Sequence, residues 1–268
     1  MPGHANVFIA KFDPTGRNLL WSSFLGGDGT ESVAAIAVDK AGDIVVTGTT
    51  SSTNFPTTPN AYQRQSLANQ IASYVTKISA DGRTLVFSTY LKMVNAMAMT
   101  TNEAGDVYVT GQSYVSLGTT PAQHETVGSI GTAQVHQVQS VFLIRLRSDG
   151  TGLIYGANLG GGGFDGSAGT SIALDSSGNC YVSGVQKGTT GLGNSIAVSS
   201  GSYQAAYSNA GLTNSIGPGA LDNGFIVKVN DSGTKVIFGT YFGPRFYGTS
   251  VQGIAVDPIV DPGIRTRQ

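Results

Sequence analysis

An all-β chain made of repeated four-stranded antiparallel units is predicted by three observations. Short strand-like boxes return in a fixed order along the sequence. No segment within those boxes shows a 3.6-residue apolar period. Apolar residues also fall on both faces of one strand per repeat, as Val7, Phe8, Ile9 and Phe12 illustrate. A sheet covered on both faces fits radially stacked blades, each sandwiched by its neighbours. The expected fold is therefore a β-propeller of four-stranded blades.

The organising stretch runs from Ile36 to Gly48. It reads as two short strands, A and B, joined by a tight turn through Asp39, Gly42 and Asp43. It returns from Met97 to Gly111, with Gly105 in the turn, and from Ile172 to Gly184, with Asp175 and Gly178. A fourth copy starts at Ile254-Ala255-Val256-Asp257. In each turn Asp is expected to cap backbone amides and Gly to adopt positive φ. Asp39, Gly42, Gly48, Gly105, Gly111, Asp175, Gly178, Gly184 and Asp257 are therefore read as fold signature and not as an acidic site.

Strand C is a Phe-x-x-Lys type box, found at Val7–Phe12, Ser73–Ile78, Val141–Leu146 and Gly224–Val229. A turn rich in Asp, Ser and Gly follows each. Strand D is aromatic: Leu20–Leu25, Leu85–Leu91, Leu153–Leu159 and Val236–Phe242. Residues 1–268 thus form one domain. Residues 5–32 supply strands C and D of a first blade. Blades cover 33–93, 94–167 and 168–249, and 250–268 bring the first strand of a further blade and a tail. This is a partial propeller of three complete blades, a half-blade and one strand. Its open ends leave three arrangements: part of a larger propeller, a small ring closed by the two termini, or two copies in one ring.

At these boxes the chain resembles the bacterial seven-bladed β-propeller repeat family abbreviated SBBP. The resemblance rests on the Ala-Val-Asp, Gly-Asn/Asp-x-x-Val-Thr-Gly and Phe-x-x-Lys patterns, on Ser88-Thr89-Tyr90-Leu91, and on Thr50 to Pro59 with Ala61-Tyr62-Gln63. It implies secreted or surface-attached bacterial proteins with no common catalytic activity. Thr100 stands where Asp is expected, Lys92 replaces Gly, and Asn158 replaces Tyr.

Composition narrows the partners. Only 12% of residues are charged, with 15 basic against 16 acidic. No broad field favours nucleic acid, and no apolar run is long enough to insert in a membrane. A protein or glycan ligand is the expected partner, beside the remaining blades or a second copy. The long B-to-C connections, Thr49 to Ile71, Gln112 to Gln139 and Val185 to Asn223, project on one face and make it the candidate binding surface.

Catalytic and metal motifs are sparse. The loops Gly26–Glu31 and Gly160–Gly166 are oxygen-rich candidates for Ca²⁺, but they lack the carboxylate spacing of a calcium loop, so no cofactor is expected. Gly161-x-Gly163-x-x-Gly166 matches a dinucleotide fingerprint by letter but leads into a strand. Lys11, Lys77, Arg145 and Lys228 share one repeat position and are read as solvated or interblade hydrogen-bonding groups. Cys180 aligns with Ile44 and Val107 as a small buried hydrophobe. His4, His124 and His136 have no partner spacing for catalysis or metal binding. A non-catalytic binding or scaffold module is the leading expectation. The alternatives are a polysaccharide lyase or hydrolase over a central channel and a structural spacer.

Overall fold

Alternating or continuous apolar runs of six to eight residues, bounded by Gly and Asp turns, become strands throughout the chain. The structure is a computed structural model that describes residues 5–66, 72–114, 139–163, 167–187, 196–205, 222–243 and 249–257. Among these residues it is all-β. The strands are β1 (Val7–Phe12), β2 (Leu19–Leu25), β3 (Glu31–Val38), β4 (Ile44–Thr50), β5 (Ala72–Ile78), β6 (Leu85–Leu91) and β7 (Val94–Thr101). They continue with β8 (Val107–Ser113), β9 (Gln139–Leu146), β10 (Leu153–Gly163), β11 (Ala168–Leu174), β12 (Cys180–Gln186), β13 (Asn223–Val229) and β14 (Val236–Phe242). No helix of the described residues is long and apolar enough to cross a membrane.

Topology follows sequence order. A two-stranded hairpin β1–β2 precedes three four-stranded antiparallel sheets: sheet I (β3–β6), sheet II (β7–β10) and sheet III (β11–β14). In each, A, B, C and D lie side by side, as the repeats predict. Residues 249–257 carry no strand ladder. They are held against sheet III by Val251 N–H donating to Gly184 O (3.2 Å), Ile254 N–H to Ser171 Oγ (3.2 Å) and Thr249 N–H to Asp222 O (2.8 Å).

Successive units are joined by apolar layers, and alternation along the strands explains why. Val46 and Tyr74 of sheet I pack with Val7, Ile9 and Leu25 of the hairpin. Their chain neighbours Val45 and Val75 point the other way, into a layer with Met99, Val109, Phe142 and Ile144 of sheet II. A third layer joins Tyr108, Leu143 and Tyr155 of sheet II to Ile172, Val182, Phe225 and Val227 of sheet III. Cys180 lies in this layer, fully buried, and burial pushes its thiol well above its ordinary range. Each fully buried large side chain contributes about 1.5–3 kcal/mol, so these layers, not surface polar contacts, carry most of the stacking energy.

The Gly of each Val-Thr-Gly box has a specific steric cause. Strand A slips register between Val33 and Ala35, between Ala96 and Ala98, and between Gly169 and Ser171. Opposite each bulge sit Gly48, Gly111 and Gly184, where a Cβ would collide with the carbonyl oxygens of Ser32, Asn95 and Ala168. The bulge and the glycine therefore require one another.

Register also corrects one sequence assignment. Thr101 pairs with Val107 as Val38 pairs with Ile44 and Leu174 with Cys180. Asn102, not Thr100, therefore occupies the turn position of Asp39 and Asp175.

Candidate functional site

Two ends of the sheets carry repeated polar structure. At the end bearing the A–B and C–D turns, Asp39 Oδ1 accepts from Ala41 N–H (2.9 Å) and Asp43 N–H (3.0 Å), and Asp175 Oδ1 accepts likewise from Ser177 and Asn179. Gly42, Gly105 and Gly178 take φ values of 84°, 80° and 78°, which L side chains rarely adopt. The capping role predicted for Asp39 and Asp175 is present.

The same carboxylates have a second role that the capping pattern did not reveal. Lys77 Nζ, on strand C, lies 2.7 Å from Asp39 Oδ2, with both side chains buried, and Lys228 Nζ lies 2.8 Å from Asp175 Oδ2. Burial alone would raise the Asp39 and Asp175 carboxyls. The hydrogen bonds from Lys77 and Lys228, with those from the turn, outweigh it and hold both below the usual carboxylate range. The basic strand-C position and the acidic turn thus form one repeated unit.

Sheet II builds that unit from different residues. Asn102 keeps the cap, accepting from Asp106 N–H at 2.9 Å, but carries no charge. The charge moves to Asp106, which Arg145 reaches at 2.9 Å. Arg145 also extends to Asp231 in the C–D turn of sheet III, 2.8 Å to its carboxylate and 3.0 Å to its carbonyl. Lys11 makes the equivalent cross-sheet bond to Ala80 O at 2.8 Å. Of the two roles expected for the repeated bases, hydrogen bonding is the one present: they bind within and between sheets.

A second repeated contact accompanies the first. Gly82, Gly150 and Gly233, in the C–D turns, pack on the rings of Trp21, Phe87 and Tyr155, on strand D of the preceding unit. Only a glycine leaves room for the ring there, and its positive φ of 71–74° also favours glycine.

The opposite end carries the long B-to-C connections. In sheets I and III the stems are pinned by the strand-D tyrosines: Tyr90 Oη donates to Ser52 O (2.9 Å) and accepts from Phe55 N–H (3.0 Å), while Tyr241 Oη accepts from Ile196 N–H (2.8 Å). Phe55 fills the space between Tyr74 and Tyr90, with ring centroids 4.6 and 5.9 Å away. Tyr90→Phe should therefore leave the buried Phe55 N–H unpaired and cost about 1–3 kcal/mol. Amide exchange should accelerate most at Phe55, and an unchanged rate there would contradict the pinning role.

Part of each described connection is structural. Past Phe55, the chain runs along the outer strand of sheet I: Thr58 N–H donates to Ser88 O (3.1 Å), Tyr90 N–H to Gln63 O (2.9 Å), and Lys92 N–H to Gln63 Oε1 (2.8 Å). Sheet III repeats this with Ser199 N–H to Gly239 O (3.0 Å), Tyr241 N–H to Gln204 O (3.1 Å) and Gly243 N–H to Gln204 Oε1 (3.1 Å). The Tyr-Gln pairs at 62–63 and 203–204 were the available sequence signal for this path. The rest of the connections, 67–71, 115–138, 188–195 and 206–221, lies outside the described residues, as do His4, His124, His136 and 164–166.

In the loop Gly26–Glu31, weighed for Ca²⁺, Asp28 accepts from Thr53 N–H (2.9 Å) and Thr53 Oγ1 (3.1 Å). Glu31, buried, accepts from Thr50 Oγ1 (2.7 Å), Ser52 Oγ and Gly27 N–H (3.3 Å). Both carboxylates thus tie this loop to the first residues of the next B-to-C connection. Among the described residues no three His, Cys, Asp or Glu side chains gather as a metal-binding group. Asp257 lies in the segment held against sheet III.

Compared with protein-family models and with curated proteins, the chain matches none.

Proposed function

We propose that the chain is a segment of a β-propeller of the SBBP type, from an exported bacterial protein, and that it serves as a non-catalytic module binding a protein or glycan ligand. The observation that supports this reading is the division of labour between the two ends of the sheets. The A–B turns at 39–43, 102–106 and 175–179 keep one length and one bonding pattern. The B-to-C connections, spanning 51–71, 114–138 and 187–222, vary in length, while the described stems of the first and third are fixed to strand D. Variable loops on a rigid frame are the arrangement by which folds acquire different ligands without altering the scaffold.

The test separates loop from frame. Residues 115–137 and 206–220 are replaced by short Gly-Ser linkers, leaving the Tyr-Gln segments intact, and parent and variant are applied to a glycan array and a surface-protein array. The expected result is an unchanged thermal melt with loss of capture. Equal capture by both proteins, or no capture by the parent, overturns the proposal.

A further inference from the structure

Three junctions between successive units obey one set of rules, and the hairpin β1–β2 fulfils only half of them. Strands β5, β9 and β13 are hydrogen-bonded on both edges, whereas among the described residues β1 pairs with β2 alone. Lys77, Arg145 and Lys228 each hold a carboxylate from the A–B turn of their own sheet. Lys11, at the same position, has its cross-sheet bond to Ala80 but no carboxylate among the described residues. Tyr74 and Tyr90 are buried around Phe55, whereas their counterparts Phe8 and Phe24, whose rings lie 5.7 Å apart, are 60% and 74% exposed. Met99 and Ile172 are 8% exposed against the preceding sheet, while their counterpart Ile36 is 60% exposed.

We propose that this face, formed by the free edge of β1 with Lys11, Phe8, Phe24 and Ile36, docks one two-stranded β-ribbon of the repeat's own A–B type. The internal junctions specify its chemistry. Its second strand pairs antiparallel with β1, as β4 pairs with β5. An aspartate in its turn meets Lys11, as Asp39 meets Lys77. An aromatic side chain following its second strand enters between Phe8 and Phe24, as Phe55 does between Tyr74 and Tyr90. Its strands also cover Ile36, as β3 and β4 lie against β7. Edge pairing supplies affinity and the side-chain pockets supply selectivity, the general mode of β-strand addition. The occupant is a further repeat unit outside the described residues and not a second copy of them: the A–B ribbons β3–β4, β7–β8 and β11–β12 are each already paired with their own strand C.

The probe is a fluorescent synthetic peptide with the sequence of Glu31 to Pro56, titrated into the full 268-residue chain and followed by anisotropy. Saturable binding is expected, weakened about tenfold by Asp39→Asn in the peptide, the size of one charge-assisted hydrogen bond. Lys11→Ala in the protein, with its melt checked, should abolish the difference between the two peptides. Absence of binding overturns the proposal, as does equal binding by the Asp39→Asn and scrambled peptides. Self-association of the chain that Phe24→Ser converts to monomer also overturns it, because a second copy would then be the occupant.

Discussion

Replacing Asp39 with Ala is expected to lower the unfolding free energy by about 3–5 kcal/mol, the cost of leaving one member of a buried ion pair uncompensated. Lys77 would remain buried with its charge, and Ala41 and Asp43 would lose the side chain that caps their amides. Asp39→Asn keeps the caps and should be milder. The double variant Asp39→Ala with Lys77→Met should recover much of the loss, because no unpaired charge remains. Urea unfolding of the four proteins measures this directly; a double variant no better than Asp39→Ala would show that capping, not the pair, dominates. The pH dependence follows in sign. The carboxyls of Asp39 and Asp175 are held below their ordinary value of 3.8, so the folded state binds protons less readily than the unfolded one. Their contribution is complete above the ordinary carboxylate range and is lost as pH falls through the lowered folded values. Asp39→Asn should flatten the acid limb of the stability curve.

Gly233→Ala is the second large effect. At φ 72° the added Cβ imposes about 1–2 kcal/mol of backbone strain. It would also lie 2.6 Å from Tyr155 Cγ, inside van der Waals contact with a fully buried ring. Forced repacking of that kind adds roughly 1–3 kcal/mol, for a total of about 2–5 kcal/mol. Gly16→Ala is the matched control. Its φ is 71°, but nothing lies within 4 Å of the added Cβ, so only the backbone cost should appear. Equal losses at the two positions, measured by thermal melts, would refute the ring contact as the cause.

These two experiments also mark where the sequence was informative. The strands and their order within each sheet were legible because the Phe-x-x-Lys and Val-Thr-Gly boxes keep their spacing, and because Val45 and Val46, or Tyr74 and Val75, are apolar on both faces. The register of the second repeat was not. Met97-Ala98-Met99 resembles Ile36-Ala37-Val38 by letter, which moved Thr100 into the position that Asn102 holds; strand pairing places Thr101, not Met99, opposite the start of strand B. The pairing of Lys77 with Asp39 was hidden for another reason. The two residues are far apart in the chain and meet only through strand pairing, so the turn motif alone showed the cap and not the ion pair. The exchange of roles in sheet II is subtler still. Arg145 reaches Asp106 and Asp231 because its guanidinium has several donors in a planar fork, a geometry a lysine does not offer. At the other end, the path of residues 58–63 along β6 depends on backbone hydrogen bonds, which leave little trace in side-chain pattern.

That path has a consequence for how such repeats behave in number. An unpaired outer strand is a template on which other chains polymerise sideways. In the two sheets whose connections are described, residues 58–63 and 199–204 occupy that edge with their own backbone and glutamine side chains. Lateral growth into fibrils is blocked there, while the faces perpendicular to it stay available for stacking. Duplication of a unit of this kind therefore adds an outer strand whose edge is already occupied, which removes that edge as a route to sideways aggregation as an array lengthens.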